Sequence, residues 1–218
     1  ATEAQKLAYG AIVGDSDVTF RLWAPTAKSV KLHIYNTDKS SASLQPMIYD
    51  ATSGSWSYVG DSSLKDKFYR YVVEVYHPLT HKLESYEVTD PYSLSLSMNS
   101  EYSQVVDLND SSLKPDGWDD LQAPHAQTTK ADLAKMVVTE SHIRDLSAWD
   151  STVSDAHRGK FLALTDSSSN MVKHLKELST AGATHIELMP VFDIASVDEN
   201  PSNVVNLTDS FSKLCAKN

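Results

Sequence analysis

The stretch VTFRLWAPTAKSVKLHIYN, Val18–Asn36, decides how the first half of the chain folds. Its opening alternates, with Phe20 and Leu22 on one face, and it stops at Ala24-Pro25. SVKLHIYN then repeats the pattern, with Val30, Leu32 and Ile34 on one face and Lys31 and His33 on the other. A period of two with one apolar face marks a half-buried strand. Working outward, GSWSYVG (Gly54–Gly60) and FYRYVVEVYHP (Phe68–Pro78) read as further strands. HPLTHKLESYEV reads as a hairpin turning near Leu79–Lys82, and VTDPYSLSLSMNS closes the region with turn chemistry at Asp90-Pro91. Short strands at this spacing predict an antiparallel, immunoglobulin-like β-sandwich over residues 1–108.

The chain changes character near residue 130. Residues 109–135 are polar and punctuated by proline, and they read as a connector laid on a surface, because Trp118 needs somewhere to bury. After that the order is strand, helix, strand. MVVTESHI (Met136–Ile143) is the first strand. Ser167–Gly182 is helical, with Met171, Leu175 and Leu178 as an apolar stripe and Gly182 as the left-handed stop. THIELMPVFD (Thr184–Asp193) is the second strand. Such a β-α-β unit is expected to be parallel and right-handed. Alone it leaves both strand edges unpaired, and the remaining sequence to Asn218 offers no strong strand to complete it.

Composition narrows the function classes. The 218 residues are 41% hydrophobic and 22% charged, which is globular. With 19 basic against 29 acidic residues the formal charge is −10, and no basic cluster suits a nucleic-acid partner. No apolar run is long enough to span a membrane. The opening ATEAQKLAYG lacks the basic and apolar regions of a signal peptide, although a mature secreted chain would look the same. The single cysteine, Cys215, has no internal partner, so it is either an ordinary thiol or bonded to a cysteine elsewhere. Sequons at Asn109 and Asn206 read as chance.

VTESHIRDLSAWD, Val138–Asp150, sets His142, Arg144 and Asp145 at the end of a strand. Asp145 and Asp193 follow adjacent strands, and a retaining glycosidase needs two carboxyl groups roughly 5 Å apart. Loop-holding ion pairs for Arg144 and Asp145, and a hydrogen bond for His142, are the expected roles instead. Glu140 and Glu187 lie within strands and read as framework acids that need partners if buried. His77 and His81 are four apart, but Pro78 removes the helix that would align them as metal ligands. Neither a phosphate loop nor a G-x-S-x-G elbow is present. Trp23, Trp56, Tyr58, Phe68, Tyr69 and Tyr71 could offer faces to a sugar. Core or interdomain packing outweighs that role for each, and Trp23, out of register with Phe20 and Leu22, is expected either to be exposed or to contact the neighbouring domain.

These segments carry a resemblance. VTFRLWAPTAKSVKLHIYN resembles the opening of the starch-binding-like sandwich of glycogen and starch debranching enzymes, and VTDPYSLSLSMNS its end. VVTESHIRDLSAWD resembles the first barrel strand of pullulanases, and HLKELSTAGATHIELMPVFD their first barrel helix and second strand. The resemblance implies that residues 136–218 begin a TIM (β/α)8 barrel of the alpha-amylase superfamily. It implies hydrolysis of α-1,6-glucosidic linkages in pullulan, starch and limit dextrins, by a secreted or cell-surface bacterial enzyme. The nucleophile Asp, acid/base Glu and stabilising Asp of that superfamily lie on later strands, so no catalytic residue is expected here. Trp56, His142, Phe192 and Asp193 are the substrate-contact candidates. The segment needs no metal or cofactor, and the resemblance leaves room for calcium in the complete enzyme. The expected partners are a companion polypeptide carrying the other barrel strands, bonded to Cys215 in one version, and the α-glucan. The competing reading is a stand-alone α-glucan-binding or scaffold module without activity, for which two barrel strands would have no use.

Overall fold

The computed structural model describes residues 2–125, 129–192, 197–203 and 210–215, without the side chains of Lys213 and Leu214. Among the candidates above, Asp193 and the Asn206 sequon lie outside the described residues. The chain divides into two compact units, Ala1–Lys114 with Asp193–Asn218, and Pro115–Phe192.

The first unit is a sandwich of two antiparallel sheets. In chain order its strands are β1 (Gly10–Val13), β2 (Asp17–Trp23), β3 (Ser29–Tyr35), β4 (Ser41–Pro46), β5 (Ile48–Asp50), β6 (Ser55–Asp61), β7 (Phe68–His77), β8 (Lys82–Val88) and the short β9 (Ser103–Gln104). One sheet runs β1-β2-β6-β5, and the other runs β4-β3-β7-β8 with β9 also paired to β7. The alternation decides the packing. Phe20 and Leu22 of β2, and Val30, Leu32 and Ile34 of β3, turn inward and are almost wholly buried. They meet Trp56, Tyr69, Tyr71 and Val105 in one core. The Phe20 and Tyr69 rings cross edge to face at 4.9 Å, a favoured aromatic geometry. The hairpin falls where expected, with His81 at φ 54 in the turn between β7 and β8.

Sequence reading missed β1, β4, β5 and β9. Each is short or polar, so its alternation does not stand out, and pairing to a stronger neighbour holds it in place. The first unit reaches past residue 108 because Asp110 is tied to it: Lys65 Nζ lies 2.7 Å from its Oδ2. Asp110 also caps the following turn by accepting from the Ser112 amide. Asn99 hydrogen-bonds Asp198 and Glu199, which joins 197–203 to this unit.

The second unit contains α1 (Lys130–Leu133), β10 (Val138–Ser141), α2 (Ile143–Ser147), α3 (Asn170–Thr180) and β11 (His185–Leu188). A further helix, α4 (Phe211–Cys215), belongs to the first unit. β10 and β11 pair in parallel, with Val138 opposite His185 and Ser141 opposite Leu188. Both strands are shorter than the sequence pattern indicated. The chain turns into α2 directly after β10, because His142 leaves the strand and caps that helix. Helix α3 has Ser169 as its N-cap, with the Ser169 hydroxyl accepting from the Val172 amide. Its apolar stripe packs Met171 and Leu175 with Val153, Ala163 and Leu146. That cluster is small beside the sandwich core. The expectation that Trp118 is buried fails: it is 56% exposed on a loop whose neighbours are polar.

Candidate functional site

Two regions could carry function: the aromatic strands of the sandwich, and the residues that follow β10 and β11. In the sandwich, Trp56 of β6 is buried, its indole N–H donating to the Ala24 carbonyl at 3.0 Å. It therefore has no open face for a sugar. Its position opposite Leu22 explains this, since inward residues on paired strands share a face. Tyr69 and Tyr71 are buried as well, and both phenols donate to Asp90 Oδ2, at 2.8 and 3.1 Å. Asp90 Oδ1 accepts from the Tyr92 amide at 2.8 Å. Burial raises this carboxyl above its ordinary value, and the three donors act against that rise. Burial and Asp90 push both phenols well above their usual range. Trp23 is 48% exposed, with its N–H on the Ser53 carbonyl.

The outer face of the second sheet carries a polar and aromatic cluster. His33 Nδ1 lies 2.6 Å from Glu87 Oε1, and Nε2 lies 2.8 Å from the Ser41 hydroxyl. Tyr35 also donates to Glu87. Burial acts to raise the Glu87 carboxyl, but the Tyr35 and His33 contacts outweigh it and hold the group low. The Arg70 guanidinium lies 4.1 Å from the Tyr102 ring centre, and Lys39 Nζ lies 5.5 Å from it. Cations thus already occupy the ring that would otherwise be open.

After β10, the ring of His142 accepts from the Arg144 amide at 3.1 Å. Its role at this point is a helix cap, with the second ring nitrogen left for any ligand. Arg144 and Asp145 pair with each other at 3.3 Å, both exposed. Neighbours in sequence cannot bridge two loops, so this pair corrects the loop-holding expectation, and an exposed pair contributes little. Phe192 is 82% exposed rather than packed. Glu140 and Glu187 are exposed and stand opposite each other in the parallel register. Neighbouring like charges on one sheet face repel. His77 and His81 make separate contacts, His81 with the Tyr76 hydroxyl at 3.0 Å. Among the described residues no group of three His, Cys, Asp or Glu side chains could hold a metal ion, and no helix is long and apolar enough to cross a membrane.

Sequence reading passed over two features. Trp149, just after α2, is 96% exposed. Asp150 and Asp166 brace the loop between β10 and α3. Asp150 accepts from the Met171 amide at 2.8 Å, and Asp166 accepts from the Ser154 amide and lies 2.8 Å from His157 Nδ1. The Ser/Thr/Asp content of that loop was its only signal.

Residues 8–93 match the model of carbohydrate-binding module 48 (isoamylase N-terminal domain). A pullulanase from Klebsiella aerogenes is 62% identical over 215 residues, which is 99% of this chain and 20% of that protein. Pullulanase 1, chloroplastic, from Arabidopsis thaliana is 39% identical over 196 residues, covering 89% of this chain and 20% of that protein. A crystal structure of Klebsiella pneumoniae pullulanase complexed with maltotriose superposes with a TM-score of 0.94 at 61% identity, over 100% of this chain and 21% of that one. The chain thus spans about 20% of the length of the curated relatives it matches. It is similar to pullulanases over nearly its whole length, and its residues 8–93 are similar to carbohydrate-binding module 48.

Proposed function

We propose that this chain is the module-48 sandwich and the first β-α-β portion of the catalytic (β/α)8 barrel of a pullulanase-type debranching enzyme. The assembled protein hydrolyses α-1,6-glucosidic linkages in pullulan, starch and limit dextrins. One observation carries the reading: β10 and β11 form a two-stranded parallel sheet with open outer edges. Parallel sheets are found covered on both faces within larger sheets. Around this one Val137, Val138, Ile186, Leu188, Met189, Val191 and Phe192 are all exposed. Burying one such side chain is worth roughly 1.5–3 kcal/mol, so these residues call for further strands. A barrel of about 250 residues supplies them. The similarity to pullulanases over the whole chain supports the same conclusion.

In this reading the catalytic carboxylates belong to later strands, and this chain positions rather than reacts. His142 and Asp145 sit at the C-terminal end of β10, where barrel active sites are built. The open strand edges pair with the remaining barrel strands, on the same polypeptide or a companion. In this reading these residues need no metal or cofactor, and the assembled enzyme is secreted or held at the cell surface. The alternative, a stand-alone glucan-binding module, leaves β10 and β11 without a purpose.

The test compares two proteins. The 218 residues alone should release no reducing ends from pullulan, and the longer polypeptide that carries them should release maltotriose. Hydrolysis by the 218 residues alone, or none by the longer polypeptide, would overturn the proposal.

A further inference from the structure

Trp149 is the most exposed large apolar side chain among the described residues. Its exposure is not that of a loose loop. The Ala148 amide closes α2 onto the Arg144 carbonyl at 2.8 Å, and the Asp150 amide donates to the Ser147 carbonyl at 3.0 Å. The Asp150 carboxylate accepts from the Thr152 amide, the Thr152 hydroxyl and the Met171 amide, at 2.9, 2.6 and 2.8 Å. The backbone on both sides is anchored while the indole stands out. It borders an open depression of about 400 Å³, a volume typical of small-molecule sites. Leu146 and the buried Met171 form its apolar part, and Asp145, Asn170 and His174 add polar groups.

The chemistry narrows the ligand. The depression lies at the start of α3, yet the first helix amides are already taken. Asn170 donates to the Thr152 hydroxyl, Met171 to Asp150 and Val172 to the Ser169 hydroxyl. Two carboxylates also line the site, so an anion is disfavoured on both counts. A protein partner would need roughly 800 Å² of complementary surface, whereas the apolar lining here is Trp149, Leu146 and Met171 alone. A neutral polyol fits, because its C–H face stacks on an aromatic ring and its hydroxyls take carboxylate, amide and imidazole partners.

We propose that this depression is a saccharide subsite, with Trp149 stacking one pyranose ring and Asp145, Asn170 and His174 bonding its hydroxyls. It rests on the debranching reading, since loops after barrel strands face the substrate side. The ligand is then a glucose unit of the α-glucan.

The longer polypeptide is oxidised with N-bromosuccinimide, with and without millimolar maltotetraose, and each tryptophan is read by peptide mass spectrometry. Trp149 should oxidise early and become several-fold slower with sugar, while Trp118 stays unaffected. An unreactive Trp149, covered by other parts of the polypeptide, or one oxidised equally fast with sugar, overturns the proposal. As a second arm, Trp149→Ala should lower affinity for amylopectin about tenfold, as loss of a stacked ring implies, with an unchanged urea unfolding midpoint. Unchanged amylopectin affinity also refutes it. Failure of the wild type to cleave pullulan would instead refute the parent reading, which keeps the two outcomes apart.

Discussion

Asp90 is a buried acceptor shared by three donors of the sandwich, and removing it gives a sharp test. It is 4% exposed and serves as the shared acceptor for Tyr69, Tyr71 and the Tyr92 amide. Asp90→Ala leaves two buried phenols and one amide without acceptors. Each orphaned donor costs roughly 1–3 kcal/mol. The penalties overlap, because both phenols bond one oxygen and can shift together. A loss of about 3–5 kcal/mol is therefore expected, a large part of the roughly 5–15 kcal/mol that holds a domain together. Asp90→Asn keeps one carbonyl acceptor and turns the amide toward the other donors, so its cost is nearer 1–2 kcal/mol by the same principle, roughly one unmade bond. Adding Tyr69→Phe and Tyr71→Phe to Asp90→Ala removes the orphaned donors, and that triple variant should recover part of the loss. Urea unfolding of the 218-residue chain, followed by tyrosine fluorescence and far-ultraviolet dichroism, reads all three. An Asp90→Ala midpoint equal to wild type would refute this account. The pH dependence has a definite sign. The folded carboxyl is raised above its ordinary 3.8, so the native state holds the proton longer. Asp90 therefore makes stability fall as pH rises from below 3.8 through the folded value, and Asp90→Asn should lack that slope.

Trp56→Ala should destabilise the sandwich by about 3–5 kcal/mol, as large-to-small core changes do; a change under 1 kcal/mol in urea unfolding would contradict its burial. The Ser154 amide and His157 hold Asp166 below its ordinary range. Its stabilising contribution is present above 3.8 and lost as pH falls through the depressed folded value. Asp166→Asn should remove that acid sensitivity, measured as hydrogen exchange around residues 152–170 at pH 3 against pH 6. Glu140→Gln should stabilise the parallel pair slightly, by about 0.2–1 kcal/mol at low salt, and molar salt should erase the difference because it screens exposed charges. Equal shifts at both salt concentrations would exclude charge repulsion as the cause.

The sequence by itself determined the elements whose apolar residues keep a strict period. Val30, Leu32 and Ile34 could bury together only in a strand, and Met171, Leu175 and Leu178 could align only on a helix. Those two patterns, with the order of segments along the chain, were enough for the sandwich and the β-α-β unit, whereas the expected absence of catalytic carboxylates came from the resemblance alone. Only the tertiary structure decided the rest, because it depends on what lies across the sheet. Tyr69 and Tyr71 read as packing residues with a sugar face as the lesser reading, and the structure decides for packing because Asp90, about twenty positions later, accepts both phenols. His142 reads as a site residue until its ring is found capping α2. The facing of Glu140 and Glu187 follows from register, which no single strand specifies. Trp149 shows the same division: composition favours burying a tryptophan, and only the anchored backbone around it turns the ring outward.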